Sequence, residues 1–386
     1  MRRSYVFRLY PNRAQTKALQ QMKEGHRLLY NAALQERREA YRMRRITLSY
    51  RQQADQLKPL RKVDPDIAAL NFSSCQQTLR RLDKAFQAFF RRSRAGEKAG
   101  YPRYKSRSRF RSVAFVYGDG VRLEGGKLYV QHVGRVRMFQ HRELPDGAVV
   151  RQVVLRVAAG GEWHACLQLE LPDPAPPPHA GEAVGVDMGL SVFAALSTGE
   201  MIENPRWYRQ EEQKLARSQQ THSRHHRGSR RYRRSRRELA RRHEKIACQR
   251  RDFQHKLSRR LVEEFALIAV ESLNIRGLAR SHVAKSMHDA AWGAFVQLLR
   301  CKAEEAGSVV VEVDARDTSQ VCAACGCPVP KTLAEREHVC PHCGFTAPRD
   351  VNAALVILSR GAARTGWPRK GFPVPVRAGV AGSRPL

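Results

Sequence analysis

The sequence predicts a multidomain α+β protein: a basic helical segment and an antiparallel β region, followed by an α/β layer of RNase H type interrupted by a cysteine module. Three observations carry this. From Ala14 the hydrophobic period is helical up to Gly100-Tyr101-Pro102 and close to two after it. The Pro-rich stretch PDPAPPPHAG, 172–181, is a stiff linker and divides the chain. Beyond it, strand-like apolar runs alternate with helical stretches, and two of those runs end in an acid.

The elements follow in order. Residues 4–10 alternate as a strand, which Pro11-Asn12 ends. From Ala14 to about Arg44 the pattern is helical, with Leu19, Met22, Leu29 and Ala33 on one side. In a second helix Cys75, Leu79, Leu82, Phe86 and Phe89 recur at steps of three and four, with Arg80, Arg81, Lys84, Arg91 and Arg92 outside. Then SVAFVY, KLYVQ, GRVRM, VVRQVVLRVA and EWHACLQLEL read as strands of an antiparallel sheet or small barrel. Trp163, Ala165, Leu167, Leu169 and Leu171 form one face of that sheet, and the N-terminal strand is expected to join it. After the linker come strands at 183–187 and 191–196, a long basic helical region, a strand at 265–271, a helix from about His288 to Ala306, a strand at 308–313, the cysteine module and a helix from about Asp350. The Gly-, Pro- and Arg-rich tail from Gly361 is expected to be disordered.

Charge bounds the partner. The 386 residues carry 70 Lys and Arg against 36 Asp and Glu, a surplus of +34 that repels itself in a compact fold and calls for a polyanion, most simply nucleic acid. No apolar run approaches the ~20 residues that span a bilayer. MRRSYVFRLYPNR lacks the apolar core of a secretory signal. The expectation is a cytoplasmic protein with no membrane partner, and without a Walker-type loop no ATP motor is indicated. Between Arg206 and Arg260 twenty Lys or Arg face five Asp or Glu, and Arg230, Arg231, Arg233 and Arg234 are candidates for tracking a phosphate backbone rather than forming a merely solvated face. In GYPRYKSRSRFR, Tyr101, Tyr104 and Phe110 interleave with Arg103, Lys105, Arg107, Arg109 and Arg111. Such a stretch either stacks unpaired bases or is a basic loop anchored by its aromatics. Gln76 and Gln77 are candidates for adenine edges, and Tyr50 is a weaker one.

Two motifs carry chemistry. Cys322-x-x-Cys325 and Cys340-x-x-Cys343, each pair followed by Gly, predict a closed four-thiolate site for one structural Zn²⁺, with Cys327 and His342 close enough in sequence to substitute. The remaining cysteines are scattered, as in a reducing compartment. Asp187 ends the run in GVDMGL, Glu271 ends FALIAV, and Asp350 follows the cysteine cluster in RDVNAALVIL. A carboxylate at the end of a buried strand is costly unless it binds something, and three converging carboxylates suit a pair of Mg²⁺ ions and phosphodiester hydrolysis. Singly, each acid also reads as a turn or cap residue, and Asp350 as the N-cap of the last helix.

With GVDMGL, VESLNIRGL, DTSQVCAACG, CPHCG and RDVNAALVIL in this order, preceded by FRLYPNRAQ, YNAALQERREAY, AFQAFFRR and GYPRYK, the chain resembles the TnpB family up to about Leu358. These are transposon-encoded RNA-guided DNA nucleases related to compact type V CRISPR effectors. The resemblance implies a wedge β-barrel (1–12 and 97–171) with an inserted helical recognition lobe (13–96). After a linker (172–182) it implies a RuvC-like nuclease domain (183–313 and 345–360) holding a zinc-binding target-loading module (314–344), and a tail (361–386). It also implies Asp187, Glu271 and Asp350 as catalytic ligands of two Mg²⁺, Cys322, Cys325, Cys340 and Cys343 as zinc ligands, a guide RNA from the transposon end, and target double-stranded DNA. Where the family's last motif usually has an acid two positions before the catalytic Asp, this chain has Pro348. An RNA-guided repressor that does not cut and a DNA-joining transposase are the rival expectations.

Overall fold

The structure, a computed structural model, describes residues 1–172, 179, 181–273, 290–332 and 334–368. Most of the Pro-rich linker, the start of the helix expected at His288 and the tail beyond residue 368 lie outside the described residues. The chain divides into two compact units, Met1–Asp173 and Pro174–Leu386.

The first unit begins with strand β1 (Arg2–Tyr10). Asn12 then caps helix α1 (Arg13–Arg44) in a reciprocal box: its side chain accepts from the Gln15 amide at 2.8 Å, while the Gln15 side chain accepts from the Asn12 amide at 3.1 Å. Three short helices, α2 (Tyr50–Asp55), α3 (Leu57–Val63) and α4 (Pro65–Ala68), lead to α5 (Phe72–Arg94), whose predicted stripe of Cys75, Leu79, Leu82 and Phe86 is buried. Six strands follow: β2 (Ser112–Val116), β3 (Val121–Glu124), β4 (Lys127–Val130), β5 (Gly134–Phe139), β6 (Val149–Val157) and β7 (Trp163–Glu170). With β1 they form one antiparallel sheet in the order β2-β6-β7-β1-β5-β4-β3. Its two edge strands, β2 and β3, are separated by only four residues of turn, so the sheet must curl until its edges nearly meet, giving an almost closed barrel. The N-terminal strand sits in the middle, pairing β7 from Arg2↔Glu170 to Leu9↔Trp163 and β5 at its far end. Trp163, Ala165, Leu167 and Leu169 are buried as the alternation predicts, whereas Leu171 is only half-buried. Residues of the helices and of the sheet share a single hydrophobic core, so the helical segment 13–96 packs as part of this unit.

The second unit is built on a five-stranded sheet ordered β10-β9-β8-β11-β12. Its strands are β8 (Glu182–Asp187), β9 (Val192–Leu196), β10 (Met201–Glu203), β11 (Phe265–Ser272) and β12 (Val309–Asp314). The first three form an antiparallel meander, and β11 lies parallel to both β8 and β12. The basic region predicted as helical is a pair of packed helices, α6 (Trp207–Ser223) and α7 (Arg230–Glu264), and α7 runs directly into β11. Val184, Val186, Ile268 and Val270 face α7 and α8 (Trp292–Ala306), whereas the alternate residues Leu267 and Ala269 face the last helix, α9 (Arg349–Thr365). Alternation along the strands thus gives the sheet two buried faces, each with its own helices. The last helix continues five residues past the expected boundary at 360 because Gly361 and Ala362 are still buried against the sheet.

Candidate metal centres and their setting

The register of the second sheet brings two of the three acids side by side. β8 and β11 pair in parallel up to Gly185↔Ala269 and Val186↔Val270, so Asp187 and Glu271 are the next residues along adjacent strands. Parity decides which face they take. Gly185 and Ala269 lie under α9, and residues two further along point the same way. Asp350 occupies the second position of α9. Its side chain does not cap the helix, since Pro348 is the N-cap residue, but a negative charge in the first turn is favoured there by the helix dipole.

Electrostatics register this convergence. Burial, then the charges of Glu271 and Asp350, push the Asp187 pKa up to about 8, with Arg349 opposing. Glu271 is 8% exposed, and its pKa is raised by burial against the opposing pull of a hydrogen bond from Thr318 and the charge of Arg360. The Thr318 hydroxyl donates to the Glu271 carboxylate, and Arg360 donates to the carbonyls of Asp314 (2.8 Å) and Arg316 (2.6 Å). Burial outweighs the charges of Arg349 and Arg360 at these carboxylates, and a bound cation would offset what remains.

Gly185 sets the height of α9 over the sheet. A Cβ at this position would stand 1.9 Å from the Ala354 carbonyl oxygen and 2.8 Å from the Leu358 amide nitrogen. The absent side chain therefore lets the helix rest on β8 two residues before Asp187. Sequence reasoning passed over Gly185, Thr318 and Arg360. Gly185 and Thr318 stand inside GVDMGL and DTSQVCAACG, but nothing local in either motif reveals what the residue touches.

The four cysteines converge closely. Among the described residues they are the one set of three or more His, Cys, Asp or Glu whose donor atoms all lie within 4.8 Å of one another; the three acids are not gathered so tightly. Sulfur separations are 3.7 Å for Cys322–Cys343 and 3.6 Å for Cys325–Cys340. A tetrahedron with Zn–S bonds of about 2.3 Å has edges of roughly 3.8 Å, so the donor set fits zinc. Gly326 and Gly344 take φ of +77° and +73°, and their amides donate to the carbonyls of Cys322 (2.9 Å) and Cys340 (3.0 Å), which closes each knuckle. Cys327 and His342 are outside the set.

One buried amide joins this module to α9. Asn352, two residues after Asp350, donates to the Val321 carbonyl (2.8 Å) and accepts from the Ala323 amide (3.0 Å), holding both neighbours of Cys322. On the other side, β13 (Glu337–Val339) pairs with β14 (Thr346–Pro348), and α9 begins at once. Pro348, the departure from the family pattern, is exposed and ends β14 opposite Glu337.

The remaining sequence candidates are dispersed. Tyr50 lies under Arg80, whose Nε donates to the Tyr50 hydroxyl at 3.1 Å. Gln76 and Gln77 are half-buried on α5, and Gln77 accepts from Gln152 of β6 at 3.2 Å. Phe110 is buried and so anchors its loop, whereas Arg103 and Tyr104 are exposed. The Lys105 main chain is pinned by Asn31 at 2.8 and 3.0 Å. Arg230, Arg231, Arg233 and Arg234 are exposed in the opening turns of α7, in the other unit.

Comparison with known proteins assigns the lineage. Family models match at residues 166–282 ("Probable transposase"), 292–357 ("Cas12f1-like, TNB domain") and 1–45 ("Helix-turn-helix domain"). Over 370 residues, 94% of this chain and 90% of the relative, the sequence is 34% identical to a protein of Streptomyces pristinaespiralis named "Putative RNA-guided DNA endonuclease". The chain belongs to the TnpB family. InsQ of Escherichia coli K12, named in the same terms, is 30% identical over 75% of this chain and 74% of its own. Among solved structures, a Cas12f1 in complex with sgRNA and target DNA matches with a TM-score of 0.58 at 12% identity, covering 90% of this chain and 83% of that one, a likeness of fold. The TnpB chain thus has a Cas12f-like multidomain α/β fold with a barrel-like sheet and a four-cysteine cluster. The "Helix-turn-helix" label does not describe residues 1–45 here, which form one strand and one 32-residue helix. Among the described residues no helix is long and apolar enough to cross a membrane.

Proposed function

We propose that this TnpB-family chain is an RNA-guided DNA endonuclease whose hydrolytic centre is the carboxylate set Asp187, Glu271 and Asp350. The observation that carries the site assignment is the adjacency of Asp187 and Glu271 at the ends of parallel strands, on the face covered by the helix that bears Asp350. A strand order of β10-β9-β8-β11-β12 with a covering C-terminal helix supports reading this unit as RuvC-like, and the first unit as wedge with recognition helices.

Asp187, Glu271 and Asp350 would hold two Mg²⁺ ions. When bound, the pair would supply an activated water and charge stabilisation at the leaving oxygen of an in-line displacement. The chain's own part is to present three carboxylates in fixed directions. Thr318 orients Glu271, Gly185 lets α9 carry Asp350 down to the sheet, and cation binding is linked to release of the proton that Asp187 holds at neutral pH. The cysteine set would hold one Zn²⁺ as a structural clamp at the root of α9. A guide RNA transcribed from the transposon end would read target DNA by base pairing, with the +34 surplus neutralising phosphates of both strands.

The test is cleavage of a plasmid library with random bases flanking a guide-matched target, by protein coexpressed with its downstream RNA, in Mg²⁺, beside Asp187→Ala. Guide-dependent cuts that vanish in the variant are the expected result. Copurified RNA with target binding but no cuts by wild type would overturn the catalytic claim. Strand transfer without RNA would overturn guidance as well.

A further inference from the structure

We propose that Arg38, Tyr101 and Tyr104 frame a pocket for one unpaired nucleotide of a bound strand, its base stacked on a tyrosine ring and its phosphate near Arg38 and Arg42. The inference deepens the functional reading above and rests on it. The pocket opens between the C-terminal part of α1 and the loop after α5, with a volume of about 510 Å³, within the range of sites for small ligands.

The rings are built for stacking. Tyr101 is 41% exposed, yet Phe86 and Phe89 meet it edge-on, with centroids 5.4 and 5.3 Å away. These contacts hold the ring in one orientation without covering its whole surface. Tyr104 is 43% exposed. The Arg38 guanidinium lies 5.2 Å from its centroid and 6.0 Å from that of Tyr101, so a single cation bridges the two tyrosines. The loop is held as well: Asn31 clamps the Lys105 main chain, and Arg27 donates to the Lys105 carbonyl at 3.1 Å. A preset aromatic surface loses little entropy when a base stacks on it.

Charge favours a nucleotide over an apolar guest. Among the described residues no carboxylate pairs with Arg38 or Arg42, while Glu39, the one acid lining the pocket, accepts from Gln35 at 2.9 Å. Exposed Tyr and Arg without such pairing are what base stacking combined with phosphate attraction requires. Neither contact reads sequence, so any unpaired base would serve, from guide RNA or from a displaced DNA strand.

The test uses the full chain with its zinc, Tyr101→Leu, Tyr104→Leu and Tyr104→Phe variants, and fluorescent single-stranded oligouridylate and oligothymidylate as probes. Leucine keeps apolar contact with the neighbouring rings but removes the π face. Each Leu variant is expected to weaken binding of at least one probe by about 5- to 100-fold, with Tyr104→Phe close to wild type. Loss with the RNA probe alone assigns the pocket to RNA, and loss with the DNA probe alone to the displaced strand. Leu variants that bind both probes like wild type, with unchanged melting temperature, overturn the pocket while wild-type cleavage leaves the functional reading standing. A wild-type protein that binds neither probe and cuts no target overturns both.

Discussion

The sharpest prediction concerns Gly185→Ala, a change of one methyl group at a buried position. The new Cβ would meet the Ala354 carbonyl oxygen at 1.9 Å and the Leu358 amide nitrogen at 2.8 Å. Both are backbone atoms in the middle of a helix, so no side-chain rotation relieves the overlap. The helix must retreat from β8 by roughly 1 to 2 Å before ordinary van der Waals separation returns. Replacing Gly by Ala gains about 0.4 to 1 kcal/mol by restricting the unfolded chain, but overpacking costs about 1 to 3 kcal/mol or more and wins. Ala354 is about one turn from Asp350, so the same retreat carries that carboxylate away from Asp187, and a misplacement near 1 Å costs on the order of 100-fold in rate. Gly361→Ala is the control. Its Cβ would press on the Ala269 side chain at 2.5 Å and on Val311 at 3.1 Å, about three turns from Asp350. Melting temperature and guided cleavage, measured on both variants well below their melting points, separate stability from alignment. Lower stability in both, with cleavage lost chiefly in Gly185→Ala, is expected. Equal cleavage by the two variants would refute the claim that Gly185 protects the placement of Asp350.

Three further outcomes are expected. Thr318→Val removes the donor to a buried carboxylate and should raise the Mg²⁺ concentration needed for half-maximal cleavage about 10- to 100-fold, with Thr318→Ser restoring it; an unchanged Mg²⁺ titration would contradict the role given to that hydroxyl. Because the Asp187 pKa is about 8 in the folded chain against an ordinary aspartate value of 3.8, the native state keeps a proton that the unfolded chain has released between those values. Stability of the Mg²⁺-free protein therefore falls as pH rises from about 4 towards 8, by at most ~1.4 kcal/mol per pH unit, and levels off above; urea midpoints across that range should lose part of this slope in Asp187→Asn. Asn352→Leu orphans the Val321 carbonyl and the Ala323 amide beside Cys322, costing on the order of 2 to 4 kcal/mol, and should speed zinc release to a chromogenic chelator, whereas zinc retention equal to wild type would separate the module from α9.

Much of the site was legible because its signals are local. Two thiolate pairs with x-x spacing, each closed by Gly, define a knuckle whatever surrounds them, and they converge as expected. The apolar runs ending at Asp187 and Glu271 marked strand ends for the same reason, since alternation and β-branched composition belong to the segment itself. The two aromatic readings left open were divided by burial: Phe110 anchors its loop, and Tyr101 and Tyr104 remain accessible. Gln77, a candidate for an adenine edge, accepts from Gln152, a partner 75 residues away that no local pattern reveals.

The sequence by itself determined the lineage, the +34 surplus, the four cysteines that converge and the strand and helix contexts of three acids, since composition and short spacings survive without a fold. Tertiary structure alone decided that Asp187 and Glu271 are neighbours, that they share the face under α9, and that Asn352 ties the cysteine module to the helix bearing Asp350. Strand register and helix seating arise from contacts between segments tens to more than a hundred residues apart, and no property of either segment alone encodes the distance between them.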